Sequence, residues 1–358
     1  MSSTVRGRAL IIGISSYAYV RPLPAAVRHD ALDVAATLLD PDGCAYRSGS
    51  VTLLLDEDAT LTRLRAVFTE LRDTMEPDES FILYFSGHGH RAPAEGDAEK
   101  GFLVLQDSRT EHPETTAMED GELVSHLQSL PSLRKVVFLD ACHAGAVGTF
   151  KSGSSSEPLG ISDSTIGRLG SGRGTVLLTS SRANELSIIP QGWRNSLFTD
   201  SLLRALRGEA KDRGDGTMGV FEVFQFVAED VPRHCAEQHP VLKTDGLEGN
   251  FPIAMRRSRE TQAAPAPKAG RAQHAVVLAG LYPQGPLHSH VWSRAGGDVS
   301  RLDLSGHGAA QWYAAVSLLE RGGGNITLRQ LFDEVSREFP LNPDVAAILV
   351  ALGRNQGR

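Results

Sequence analysis

The sequence predicts an α/β protein in which a mostly parallel six-stranded sheet is flanked by helices and followed by a small all-α C-terminal domain. Three observations carry this prediction. The runs VTLLL, FILYF, KVVFL and TVLLT are continuously apolar, as central strands covered on both faces are. Between them lie amphipathic stretches of helical period, the alternation expected of a parallel sheet with crossover helices. Past residue 255 a segment rich in charge, Pro and Ala gives way to helical spacing alone.

The six expected strands are Ala9–Ile14, Ser50–Leu55, Ser80–Phe85, Gly101–Leu105, Lys135–Leu139 and Thr175–Thr179. The intervening helical patterns are Asp30–Leu39, Thr60–Met75, Glu119–Ser129 and Ser196–Arg207. Lys151–Gly174 is rich in Gly and Ser, lacks periodicity, and reads as a long mobile loop. Arg256–His274 reads as a linker, dividing the chain into a domain at 1–255 and a helical one at 275–358. In the latter, AVVLAGLY, HSHVWSRAG, AAQWYAAVSLLE, TLRQLFDEVSREF and DVAAILVAL all fit helices. Thr327 with Gln330 forms a capping box, and Asn342-Pro343 sets an N-cap before a Pro at the first helical position.

The bulk properties narrow the function classes. The 358 residues suit two domains, and 41% hydrophobic with 22% charged residues is ordinary for a globular chain. A formal net charge of -7 without a Lys/Arg run argues against nucleic acid as partner. The apolar stretch near the N-terminus is too short to span a bilayer and reads as a buried strand, so no membrane is expected. Three cysteines, Cys44, Cys142 and Cys235, make no disulfide framework, which points to a reducing cytoplasm. No Cys/His spacing resembles a zinc site, and no cofactor is expected. Asp212–Glu222 has Asp215, Gly216 and Glu222 at suitable spacing for a calcium loop. Lys211 and Arg213 would then occupy ligand positions and repel the ion.

The chemistry lies at two strand ends. In an open parallel sheet, reactive groups sit where the chain leaves the carboxyl ends of strands. FILYF runs into Ser86-Gly87-His88-Gly89, and KVVFL runs into Asp140-Ala141-Cys142-His143-Ala144-Gly145. If these strands are neighbours, His88 and Cys142 project from one edge. A Cys–His pair supplies acyl transfer: the imidazole takes the thiol proton and later protonates the leaving amine. The amides of Gly89 and Cys142 are candidate donors to the oxyanion. A lone Cys after an apolar strand is ordinarily a small buried hydrophobe, and a lone His between glycines a turn residue. The joint pattern separates this pair from both. His143 is set aside as the base because adjacent strand-end side chains point apart, and the second Ser-Gly-His-Gly, at 305–308, because no strand precedes it.

These motifs resemble the caspase-like superfamily, closer to metacaspases and bacterial caspase-domain proteins than to animal caspases. YFSGHG at Tyr84–Gly89 and LDACHAG at Leu139–Gly145 carry the likeness, the latter with Ala144 where the family usually has Ser. RALIIGISSY, PAAVRHDALDVAATL, VTLLLDEDAT and TSSRANE add to it, over roughly Arg8 to Met255. Caspases carry their His about 50 residues before the Cys; here the separation is 54. The resemblance implies the caspase-type fold, a protein substrate, and His88 and Cys142 as catalytic pair. It leaves calcium dependence open, since some metacaspases bind calcium at a different acidic site.

Metacaspases use the Asp before Ala-Cys, together with one from the first helix, to hold an Arg or Lys before the scissile bond. Those positions match Asp140 and Asp30, so the resemblance implies cleavage after Arg or Lys. Asp30 also fits a plain helix-N-terminal Asp facing the macrodipole. Trp193-Arg194-Asn195 superficially resembles the segment by which animal caspases hold an acidic side chain, but helix follows it at once. Lys151, Arg168 and Arg173 make the 151–174 loop a candidate self-cleavage segment. Leu281–Leu352 resembles the effector-associated modules of bacterial conflict systems. That likeness implies a partner protein bearing a similar helical module, with Trp292, Trp312 and Tyr313 as core or as exposed anchor. The combined expectation is a cytoplasmic cysteine endopeptidase of a bacterial defence or regulated-death system. The alternatives are a catalytically idle caspase-fold scaffold, or a peptidase of Asp specificity.

Overall fold

The computed structural model describes residues 6–40, 43–93, 99–141, 162–170, 174–182, 185–211, 213–214, 216–245, 247, 249–255, 270–304, 308–340 and 342–354. The elements run β1 Gly7–Gly13, α1 Ala26–Leu39, β2 Val51–Leu55, α2 Leu61–Thr74, β3 Ser80–Ser86, β4 Gly89–Pro93 and β5 Glu99–Leu103. There follow α3 Pro113–Thr116, β6 Met118–Glu119, α4 Asp120–Ser129, β7 Lys135–Asp140, α5 Asp163–Leu169 and β8 Thr175–Thr179. Then come α6 Leu197–Arg204, β9 Thr217–Gly219, α7 Val220–His234, β10 Val241–Asp245 and β11 Pro252–Met255. The C-terminal helices are α8 Gly270–Leu281, α9 Val291–Arg294, α10 Gly308–Glu320, α11 Leu328–Glu338 and α12 Pro343–Arg354.

The central sheet has six strands in the order β10-β8-β7-β3-β1-β2. All neighbours are parallel except the edge strand β10. The strand order reverses between β1 and β3, so a crevice opens beyond their carboxyl ends. The apolar runs are buried on both faces, as expected of covered parallel strands.

Membership of the sheet departs from the sequence reading at one strand. Gly101–Leu105 does not join it: β5 pairs antiparallel with β4 and β6 in a separate three-stranded sheet. The sixth strand is β10, an edge strand whose VLKTD has two apolar residues followed by three polar ones, so no apolar run announced it. The 151–174 stretch, read as a loop, contains a helix among its described residues. Residues 163–169 form α5, with the Ser162 hydroxyl accepting from the Thr165 amide as N-cap.

α5 is tied down by Asp120, which is 4% exposed. Its Oδ2 accepts from the Gly101 amide, the Thr165 hydroxyl and the Arg168 guanidinium at 2.6–3.1 Å. Arg168, a residue weighed for self-cleavage, is thus helical and ion-paired; Lys151 and Arg173 lie outside the described residues. Replacing Asp120 with Ala strips these donors of their shared acceptor and is expected to cost about 2 kcal/mol. Thermal unfolding should show the loss, and limited proteolysis should find new cuts within 162–169.

The first C-terminal helix begins at Gly270, inside the stretch read as linker, and buries His274 against Phe332. Each of the five helical patterns forms helix. The Thr327–Gln330 box is made on both sides, and Asn342 Oδ1 accepts from the amides of Asp344 and Val345. Trp292 and Trp312 are 0% exposed and Tyr313 5%. All three are core, and the anchor reading is withdrawn. Burial extends to the Trp312 indole, which donates to the Tyr282 carbonyl at 2.9 Å.

α8 and α10 pack against α1, and one continuous apolar cluster runs through both parts of the chain. This explains α1. With the sheet on one side and the C-terminal helices on the other, twelve of its residues are buried. A helix covered all round needs no polar face.

Candidate active site

β3 and β7 are adjacent, and Ser86 stands opposite Asp140. Asp140 ends its strand two residues before Cys142, which lies outside the described residues together with His143. His88 follows β3 by two residues and is 4% exposed.

The loop after β1 wraps His88. Its backbone N–H donates to the Tyr17 hydroxyl at 2.8 Å, and the two rings lie 5.0 Å apart. Burial holds the Tyr17 phenol far above its ordinary range, so it stays protonated. The His88 Nε2 lies 3.0 Å from the Arg21 carbonyl oxygen. A carbonyl only accepts, so Nε2 carries the hydrogen; in a neutral ring the lone pair then sits on Nδ1. Gly87 makes this packing feasible: a Cβ there would sit 2.8 Å from the Tyr17 hydroxyl and 3.0 Å from the Phe85 ring.

Gly89 opens β4 opposite Leu103. The Val104 amide donates to the His88 carbonyl at 3.0 Å. That bond makes Gly89 and Leu103 a non-hydrogen-bonded pair, so the Gly89 N–H points away from β5.

The two candidate pocket carboxylates converge on one residue. Ser196 donates its amide to Asp30 Oδ1 at 3.0 Å and its hydroxyl to Asp140 Oδ2 at 2.7 Å. The same hydroxyl caps α6 by accepting from the Thr199 amide at 3.1 Å. Asp30 is 0% exposed and Asp140 7%. Among the described residues Asp30 Oδ2 makes no hydrogen bond of good geometry, although the side chains of Asn195 and Ser196 lie close enough to favour its charged form. Burial, then the neighbouring Asp140, push the Asp30 carboxyl well above the carboxylate range, against the opposing pull of Asn195 and Ser196. α1 reaches the strand ends because Gly13 lacks a Cβ, which would meet Ala31 Cβ at 2.5 Å.

Arg194 is committed elsewhere. Its guanidinium grips Asp33 of α1 through Nε at 2.8 Å and Nη2 at 3.2 Å. This clamp holds the 193–196 segment against α1 and sets Ser196 between the two acids.

Sequence reasoning missed Tyr17, the Arg21 carbonyl, Asn195 and Ser196. Ser196 had a readable signal as N-cap of α6. The Arg21 carbonyl had none, since any residue supplies one.

A family model described as caspase domain matches residues 6–252, and one described as effector-associated domain 1 matches residues 269–353. Metacaspase-1B of Aspergillus terreus is 29% identical over 153 residues, 40% of this chain and 39% of the relative. Metacaspase-1 of Saccharomyces cerevisiae (strain YJM789) is 29% identical over 155 residues, 40% of this chain and 34% of the relative. The matched region thus spans well under half the length of either relative. Among solved structures, a Geobacter sulfurreducens protein gives TM-score 0.49 at 21% identity, covering 67% of this chain and 94% of that one. The Drosophila initiator caspase Dronc gives 0.47 at 11%, covering 70% and 84%.

Proposed function

Because the chain belongs to the caspase-domain family, we propose that it is a cysteine endopeptidase cleaving after Arg or Lys. Cys142 attacks the carbonyl carbon of the scissile amide as thiolate, and the oxyanion takes hydrogen bonds from the Gly89 and Cys142 amides. His88 protonates the leaving amine, which departs as the new N-terminus. Water, losing a proton to His88, then hydrolyses the thioester and frees the thiol.

The observation that supports the specificity is the buried Asp30 carboxyl beside a second carboxylate, its Oδ2 without a well-formed hydrogen bond among the described residues. Such an arrangement is costly when empty and is relieved by a cation bearing several donors. An acidic side chain would meet repulsion from both carboxylates. The commitment of Arg194 to Asp33 removes the cation that an Asp-specific site would need.

The effector-associated module supports a recruited enzyme. It docks to a like module on a partner protein, placing the peptidase in a cytoplasmic bacterial defence or regulated-death pathway. A fluorogenic peptide panel tests the specificity: turnover is expected for Arg- and Lys-ending peptides and not for Asp-ending ones. The reverse pattern would overturn the basic pocket, and absence of turnover on every peptide and on partner-complexed protein favours an idle scaffold.

A further inference from the structure

Asp56 is one of four described non-glycine residues with positive φ, at 40°, and the only one among them lying directly after a strand of the six-stranded sheet. Strain of this kind persists where the surroundings over-determine it. The surroundings here are specific. Asp56 Oδ1 accepts from the amides of Ser15 and Ser16 at 2.8 and 2.9 Å, and from the Ser15 hydroxyl at 3.1 Å. Its Oδ2 pairs with Arg28 Nε of α1 at 3.0 Å, and both side chains are largely shielded from water. The Arg28 Nη2 lies 3.5 Å from the Gly280 carbonyl of α8.

Ser15 and Ser16 lead directly into Tyr17, which takes the His88 amide, and the same loop continues to Arg21, which takes Nε2–H. The loop is further closed by the Leu23 amide on the Ser15 carbonyl at 2.9 Å. One carboxylate therefore fixes the start of the segment that grips His88 at two points. A guanidinium seated against the C-terminal helices fixes that carboxylate.

We infer that Asp56 is a positioning residue for His88, held in place by Arg28, which links it to the C-terminal helical module. This rests on His88 being the proton-transfer residue of the proposed reaction. The Nε2–H tautomer it enforces keeps the lone pair on Nδ1, and tautomer and ring orientation are set by what the other nitrogen donates to. Loss of Asp56 loosens the loop and lets the ring sample the other tautomer; loss of Arg28 does the same at one remove.

The test uses the full chain carrying Asp56→Asn, Arg28→Met, or both. For an Arg-ending peptide, kcat should fall about ten- to a hundred-fold in Asp56→Asn, the scale of a misplaced catalytic group, while KM stays unchanged. Arg28→Met should fall in the same parameter by a smaller factor, and the double variant should be no worse than Asp56→Asn. In 15N-histidine-labelled protein, with the His88 signals assigned by a His88→Gln control, the wild-type ring should be the Nε2–H tautomer and the Asp56→Asn ring a mixture. Unchanged kcat, an effect confined to KM, or an unaltered tautomer in a folded variant each overturns the inference. The tautomer readout needs no turnover, so an inactive wild type would sink the proposed reaction while this measurement still decided the role of Asp56.

Discussion

Peptide turnover by a Cys142→Ala protein is expected to drop by about a thousand-fold or more relative to wild type. Without the thiol there is no covalent intermediate, and what remains is binding plus the oxyanion amides. His88→Ala should lose turnover on a comparable scale, since the thiol keeps its proton at neutral pH and the leaving amine receives none. The two losses should not add. If Cys142 and His88 act as one device, the double variant is no slower than the slower single one. Michaelis kinetics on the best peptide of the panel measure all three. Iodoacetamide alkylation rates against pH give a second view, with wild-type Cys142 reacting at a lower pH than the same thiol in His88→Ala. Multiplicative losses in the double variant, or substantial turnover left in Cys142→Ala, would remove the dyad.

Legibility from sequence followed the physical origin of each feature. β3, β7 and β8 announced themselves because strands covered on both faces must be apolar throughout. β10 did not, because one of its edges is unpaired and its composition is mixed. α5 was hidden for a different reason. Asp163–Leu169 is short and polar, and it is held by the N-cap and the Asp120 network, which sequence period does not report. Among the candidate site residues, Asp30 and Asp140 were readable from motif and strand-end position, and the structure brings both to Ser196. What could not be read was the set of groups that orient His88. The Arg21 carbonyl and the Asp56 cap act through backbone geometry that exists only after the loop folds. The span of α1 carried the opposite lesson. Its Asp30, which also fits a plain helix-N-terminal Asp, lies buried beside Asp140, and its Asp33, which no motif marks, lies under Arg194.

Asp30→Asn is expected to raise the melting temperature at neutral pH while lowering kcat/KM for Arg- and Lys-ending peptides by about a hundred-fold. The activity loss follows from removing one member of a buried charge pair with the substrate cation, an effect of about 2–5 kcal/mol. The stability gain follows from linkage. A carboxyl whose folded pKa is raised binds its proton more tightly in the folded state, so its ionised form costs stability at high pH. That cost is full above the raised folded value, shrinks as pH falls through it, and vanishes below the unfolded value of about 4. Asparagine keeps an oxygen for the Ser196 amide and carries no charge to desolvate. The melting-temperature gap between variant and wild type should therefore be widest in mildly alkaline buffer and close toward pH 4. The same ionisation governs substrate. Wild-type kcat/KM on an Arg peptide should rise with pH through the Asp30 titration, and that limb should be missing from Asp30→Asn. Thermal scans and peptide kinetics over one pH series give both curves. A variant that melts lower than wild type at alkaline pH, or that cleaves the Arg peptide at the wild-type rate, would show that the buried carboxylate serves the fold and not the substrate.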